Sequence, residues 1–142
     1  MRVAILVIEP PLDQSNLDRW GYVLPAFQPI ELFVSGVTGK LPRPFHSATL
    51  VDSLAEVPGA LTPVVVTPRN ASLVAGTTPL PKFHHPRRAL YVFGPDNGSL
   101  SRDHLGGILP RKRTFIPCTV EEDLYASTAA AIVLYDRIAN HG

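Results

Sequence analysis

The residues best suited to do chemistry in this 142-residue chain stand where short apolar runs stop. "ALYVF" at 89–93 gives way to Gly-Pro-Asp-Asn-Gly-Ser-Leu, which sets the Asp96 carboxylate at a strand end between two glycines that let a backbone approach a ligand. The three-glycine spacing of a dinucleotide loop is absent, and no Gly-Lys-Ser/Thr follows as in a phosphate loop. The same composition also makes a tight strand-to-helix turn with no ligand at all. His84 and His85 are adjacent, which does not place two ligands on one helical face, and no cysteine or carboxylate cluster joins them, so no metal site is expected. Cys118, the single cysteine, reads as a small buried apolar residue rather than a nucleophile.

These residues need elements to hold them. Five short runs read as strands: 3–8, 30–34, 63–67, 89–93 and 113–117. Four of them are almost continuously apolar, the pattern of strands covered on both faces in a parallel sheet. Helices are predicted around 13–24, 48–56 and 69–75, and from near Ser101. A further helix, over the last segment 119–140, is the clearest: Thr119 and Glu122 form a capping-box pattern, acidic residues fill the first turn, and Arg137 stands in the last. Its middle, 129–134, is apolar all round, so it should be buried in the domain or against a second copy. The class is therefore α/β, with a mostly parallel sheet of about five or six strands and helices on both faces.

The length suits one domain over 1–142, and the prolines of "KLPRPFH" and "TTPLPKFHHPRR" read as extended connections within it. A net charge of +1 points to no class of partner, so contact with nucleic acid would need a local patch. One cysteine allows no internal disulfide and suits a reducing compartment, the cytoplasm. The opening "MRVAILVIEPP" has an apolar run from Val3 to Ile8 and no small-residue cleavage site, so it reads as a strand. No run nears the roughly twenty apolar residues that span a bilayer.

Three pieces in order, "YVFGPDNGSLS", "TFIPC" and "DLYASTAAAIVLYDR", resemble the SpoU/TrmH-type RNA methyltransferases of the SPOUT superfamily over about residues 88–139. The resemblance implies an α/β fold with a C-terminal trefoil knot, which sequence physics alone would not propose. It also implies a homodimer packed through the first and last helices, S-adenosylmethionine bound by the knot loops, and tRNA or rRNA as substrate, methylated at a ribose 2′-hydroxyl. Carried over residue by residue, it puts Thr67, Gly94, Ile116, Asp123 and Leu124 around the cofactor. Asp96 stands where the family usually has Glu, and Tyr125 where it has Asn.

After its first strand the family carries an Asn and, six residues on, an Arg. Ungapped alignment of "IEPPLDQSNLDRWGYV" puts Ser15 and Gly21 there, while a shift of one or two residues brings Arg19 or Asn16 into those places. Arg19, Asp96 and Tyr125 are accordingly the expected catalytic residues. Methyl transfer demands chiefly alignment and removal of one proton, so few groups are needed. The basic stretches 82–88 and 110–113 read either as contacts for RNA phosphates or as solvated turns. Two other functions fit the departures from the motif: a knotted homodimer that binds cofactor or RNA without transfer, and an unrelated nucleotide-binding α/β domain.

Overall fold

The computed structural model describes residues 2–67, 77–94, 102–107, 110–118 and 124–141. Among the described residues, seven strands form a single sheet: β1 (Arg2–Ile8), β2 (Glu31–Ser35), β3 (Thr49–Leu50), β4 (Thr62–Thr67), β5 (Thr77–Pro79), β6 (Arg88–Phe93) and β7 (Lys112–Phe115). Their spatial order is β3-β2-β1-β6-β4-β7-β5. Every pairing is parallel, as the unbroken apolar runs predict. The sheet has more strands than the five or six predicted, because β3 and β5 are edge strands of two and three residues, too short to leave a periodic signal. Pro79 closes β5 at an edge, where its missing N–H costs no ladder bond.

Alternation along the strands sorts the core into two faces. Ile5, Val7, Val34, Val64, Val66, Tyr91 and Phe93 face the first layer, with Trp20 and Leu24 of α1 (Gln14–Ala26) and Ala130, Val133 and Leu134 of α3 (Ala126–His141). Ala4, Leu6, Ile8, Phe33, Val65, Leu90 and Val92 face the second, covered by Leu54 and by Leu105 of α2 (Arg102–Leu105). Trp20 is wedged edge-on against Phe93 and tilted on Phe45, with ring centroids 6.3 and 5.8 Å away. Helices thus lie on both faces, as expected.

Two helices depart from their predictions. The segment 48–56 is not helical throughout: it forms β3 and a single 3-10 turn at Leu54–Glu56, where the Glu56 carboxylate accepts the Asp52 N–H at 2.8 Å. Leu50 and Leu54 mimic helical spacing, but Pro58 and Gly59 leave no length for a helix to propagate. The last helix opens at Ala126, later than the capping-box pattern predicts. Tyr125 is its cap, since the Ala129 N–H donates to the Tyr125 carbonyl at 2.9 Å. Thr119 and Glu122, the predicted helix at 69–75 and the loop at 95–100 lie outside the described residues.

A buried polar chain fixes the far end of α3 to the sheet. Arg137 donates to the Tyr91 hydroxyl at 3.0 Å and to the carbonyls of Pro86 and Arg87 at 2.6 and 2.9 Å. The Tyr91 hydroxyl lies 2.6 Å from His85 Nδ1, and His85 Nε2 lies 2.7 Å from Asp136 Oδ2. With the phenol donating to Nδ1 and Nε2–H donating to the carboxylate, each step has a donor and an acceptor. Burial pushes the Tyr91 phenol above its ordinary pKa, and the Arg137 guanidinium partly offsets this.

Candidate functional site

In a parallel sheet all strands end at one rim, and the connections leaving that rim form the usual ligand crevice. Here the register pairs Val7 with Phe93, Val66 with Phe93, and Thr67 with Phe115. Thr67, Gly94 and Ile116 therefore stand together at the C-terminal ends of three neighbouring strands, β4, β6 and β7. The Thr67 hydroxyl donates to the Thr114 carbonyl at 3.1 Å, locking the end of β4 against β7. Half-buried Ile116 packs on the same core face as Ala126 and Ala129 of α3. Half-buried Leu124 immediately precedes the helix cap.

α1 and α3 both start from this rim and pack side by side. Asp13 caps α1: its carboxylate accepts the Asn16 N–H at 3.2 Å. Asn16 is fully buried and donates from Nδ2 to the Pro11 carbonyl at 2.6 Å, holding the chain between β1 and α1. One turn further on, the Arg19 guanidinium lies over the Tyr125 ring, with Cζ 3.9 Å from the centroid. Its other described partner is Asn16 Oδ1, at a long 3.5 Å. No carboxylate among the described residues pairs with Arg19, and its Nε is buried without a hydrogen-bond partner.

The structure thus brings together two of the three expected catalytic residues, Arg19 and Tyr125, from opposite ends of the sequence. Asp96 and Asp123 lie outside the described residues. The basic stretches 82–88 and 110–113 are placed elsewhere. They run into the starts of β6 and β7 at the opposite rim, about 17 Å from the far end of six-residue β6 and about 10 Å from that of four-residue β7 at ~3.3 Å per residue. Buried Phe83 and His85 show that part of 82–88 is structural, not a solvated turn. Cys118 is free and half-buried.

Sequence reasoning missed Ser127, which is buried in the first turn of α3 with its hydroxyl unpartnered. Its signal was the shift of the helix start, which no pattern in the sequence marked. Chemically, the site offers a glycine and an apolar side chain at the ends of three neighbouring parallel strands, which suits a flat heterocycle. Beside these it offers an orphaned guanidinium nitrogen and an orphaned hydroxyl, which suit a polar group of a ligand.

No family model matches the chain, and no curated protein matches it. Solved structures do. A probable methylase family protein of Haemophilus influenzae superposes with a TM-score of 0.70 at 16% identity, covering 96% of this chain and 65% of its own. The SpoU methyltransferase AviRb of Streptomyces viridochromogenes, solved in complex with AdoMet, gives 0.73 at 18%, covering 98% of this chain and 57% of its own. A structure concerned with 2-OH methylation of C/U34 on tRNA gives 0.66 at 17% and covers 99% of each chain. The chain spans less than two thirds of the first two proteins. The fold is that of these methyltransferases.

Proposed function

We propose that this chain is an S-adenosylmethionine-dependent RNA methyltransferase of the SpoU/TrmH type, acting on a ribose 2′-hydroxyl of tRNA or rRNA. The observation that carries the reading is Arg19 lying over Tyr125 beside the strand ends that hold Thr67, Gly94 and Ile116. Arg19 follows Asp13 by six residues, the interval the resemblance requires between its Asn and Arg. A two-residue shift from the ungapped alignment thus assigns the Arg position to Arg19 and the Asn position to Asp13, the cap of α1. The likeness to AviRb and to the tRNA 2-OH methylation structure supports the same class.

The cofactor, when bound, supplies a methyl group already activated on a sulfonium. Gly94 leaves room for it, Ile116 and Leu124 exclude water, and the strand-end backbone offers hydrogen bonds to an adenine edge. The Arg19 guanidinium offers hydrogen-bond donors and no acceptor, so it does not serve as the base. Its role is to stabilise the alkoxide that develops as the ribose oxygen loses its proton, which a preorganised donor does best in a site shielded from water. Tyr125 holds that guanidinium by its ring face. Asp96, three positions after β6 in the sequence, is assigned to taking the proton or ordering the substrate.

The resemblance also supports a knotted C-terminal chain and a homodimer through α1 and α3. Tyr22 on α1 and Ile132, Tyr135 and Ile138 on α3 are exposed apolar residues on the two helices named. Such residues are covered when two copies meet. Calorimetry with S-adenosylmethionine and its demethylated product tests the reading: both should release binding heat, and Gly94→Trp should abolish it in a protein that still melts cooperatively. No heat with either ligand, and no change in melting temperature, overturns it. Heat without methyl transfer to any RNA would leave a binding protein.

A further inference from the structure

Glu9 is the first residue beyond β1, and it adopts φ +49°, the sole positive φ at a non-glycine residue among those described. A residue with a Cβ pays for that conformation, and Glu has no local hydrogen-bonding habit that favours it as Asn and Asp do. The surroundings enforce it. The Glu9 N–H donates to the Ser35 carbonyl at 2.8 Å, tying the turn to the end of β2. Gly36, at φ +77°, lies so close that a Cβ there would collide with the Glu9 Cγ. His104 of α2 completes the clamp, its Nε2 3.1 Å from Glu9 Oε1.

Despite this clamp the Glu9 side chain is 49% exposed. Its Oε2 takes no hydrogen bond from a described residue. Its place is also informative. β1 sits between β2 and β6, and the chain builds outward from β1 in one direction and returns at β6 in the other. In open parallel sheets the crevice at that reversal is where ligands bind. The Val7–Phe93 register brings Glu9 to the rim beside Gly94.

We propose that Glu9 is a substrate-contacting residue that accepts a hydrogen bond from the exocyclic amine of a nucleobase, with His104 and Gly36 as its positioning residues. The chemistry narrows the class. A carboxylate facing RNA is repelled by phosphate, so it is tolerated where it meets N–H donors, as when Glu accepts from cytosine N4. Uracil offers no exocyclic amine. The inference rests on the RNA methyltransferase reading and adds a specificity element to that site. It assigns the strain at Glu9 to holding one oxygen toward the substrate while the other is fixed by His104.

Fluorescence anisotropy with poly(C), poly(A) and poly(U) at one salt concentration tests it without needing turnover. The wild-type protein should bind at least one amine-bearing homopolymer fivefold or more tightly than poly(U). Glu9→Gln, Glu9→Gly and Gly36→Ala should each bring that ratio to within twofold, with binding of the demethylated cofactor unchanged. His104→Gln, which can still donate to Oε1, should keep more of the preference than His104→Ala. Glu9→Gly should also melt at or above the wild-type temperature, because glycine adopts the left-handed backbone freely. Wild-type binding without preference, or variants that keep the wild-type ratio, overturn this inference alone. Failure to bind any homopolymer or the cofactor overturns the methyltransferase reading, and this inference with it.

Discussion

Replacing Tyr125 separates two things the ring could do: hold Arg19, or present a hydroxyl. The guanidinium lies 3.9 Å above the ring centroid, and the side chain is 53% exposed. At an exposed site such a stack contributes about 0.5–1 kcal/mol. Half-burial of the ring contributes roughly 1 kcal/mol more, since full burial of a Phe-sized side chain is worth about 1.5–3 kcal/mol. Tyr125→Ala should therefore cost about 1–2 kcal/mol in a denaturant melt, too little to unfold an ordinary domain. The effect on rate should be larger. With the ring gone, Arg19 keeps its 3.5 Å contact with Asn16 and is free to swing. Misplacing one donor at the reacting oxygen by about 1.4 kcal/mol of barrier is a tenfold loss. Tyr125→Phe keeps the ring and should retain both stability and rate. The assay is labelled methyl incorporation into total RNA, alongside melts of the same preparations. In a double-mutant cycle, Tyr125→Ala should lower the rate little further once Arg19 is Ala, because the ring acts through the guanidinium. Independent multiplication of the two losses, or a Tyr125→Phe variant as slow as Tyr125→Ala, refutes the reasoning.

Ile132 is 37% exposed on α3 while Leu134 is 3% exposed, so the two report on different surfaces. Ile132→Asp should release monomers from a dimer in light scattering while the protomer stays folded, whereas Leu134→Asp should prevent folding by burying an unpaired charge. Tyr91→Phe removes the hydroxyl that joins His85 Nδ1 to Arg137 within the α3 anchor and should cost about 1–3 kcal/mol in a melt. The same hydroxyl gives the wild type an alkaline weakness: burial raises its folded pKa, so its contribution is complete below the ordinary Tyr value of about 10 and is lost as pH climbs above that. Melts from pH 9 to 11 should therefore show a steeper loss for wild type than for Tyr91→Phe.

The strands of the sheet centre were legible because burial on both faces writes an unbroken apolar run, as in "VAILVI" and "ALYVF". β3 and β5 were not, since strands of two or three residues at an edge are made by their neighbours rather than by their own pattern. The start of α3 was misread because Thr119 and Glu122 satisfy a local capping rule, whereas the helix begins where Tyr125 caps it against α1. Trp20 and Leu24 could be placed inside from spacing, but the burial of Asn16 and His85 depends on partners far along the chain. At the site, the motif residues Thr67, Gly94 and Ile116 stood at strand ends and were found there. The pairing of Arg19 with Tyr125 spans 106 positions (125 − 19), and no local pattern encodes it. Glu9 carries no sequence signal, since its left-handed backbone is imposed by Ser35, Gly36 and His104.

The most direct test of the account is transfer itself: incubation of the protein with total RNA and methyl-labelled S-adenosylmethionine, digestion to nucleosides, and identification of the labelled product. The account predicts label in a 2′-O-methylated nucleoside, reduced tenfold or more by Arg19→Ala in a protein whose melting is unchanged within a few degrees. Label absent from all RNA while the folded protein is saturated with cofactor would contradict it.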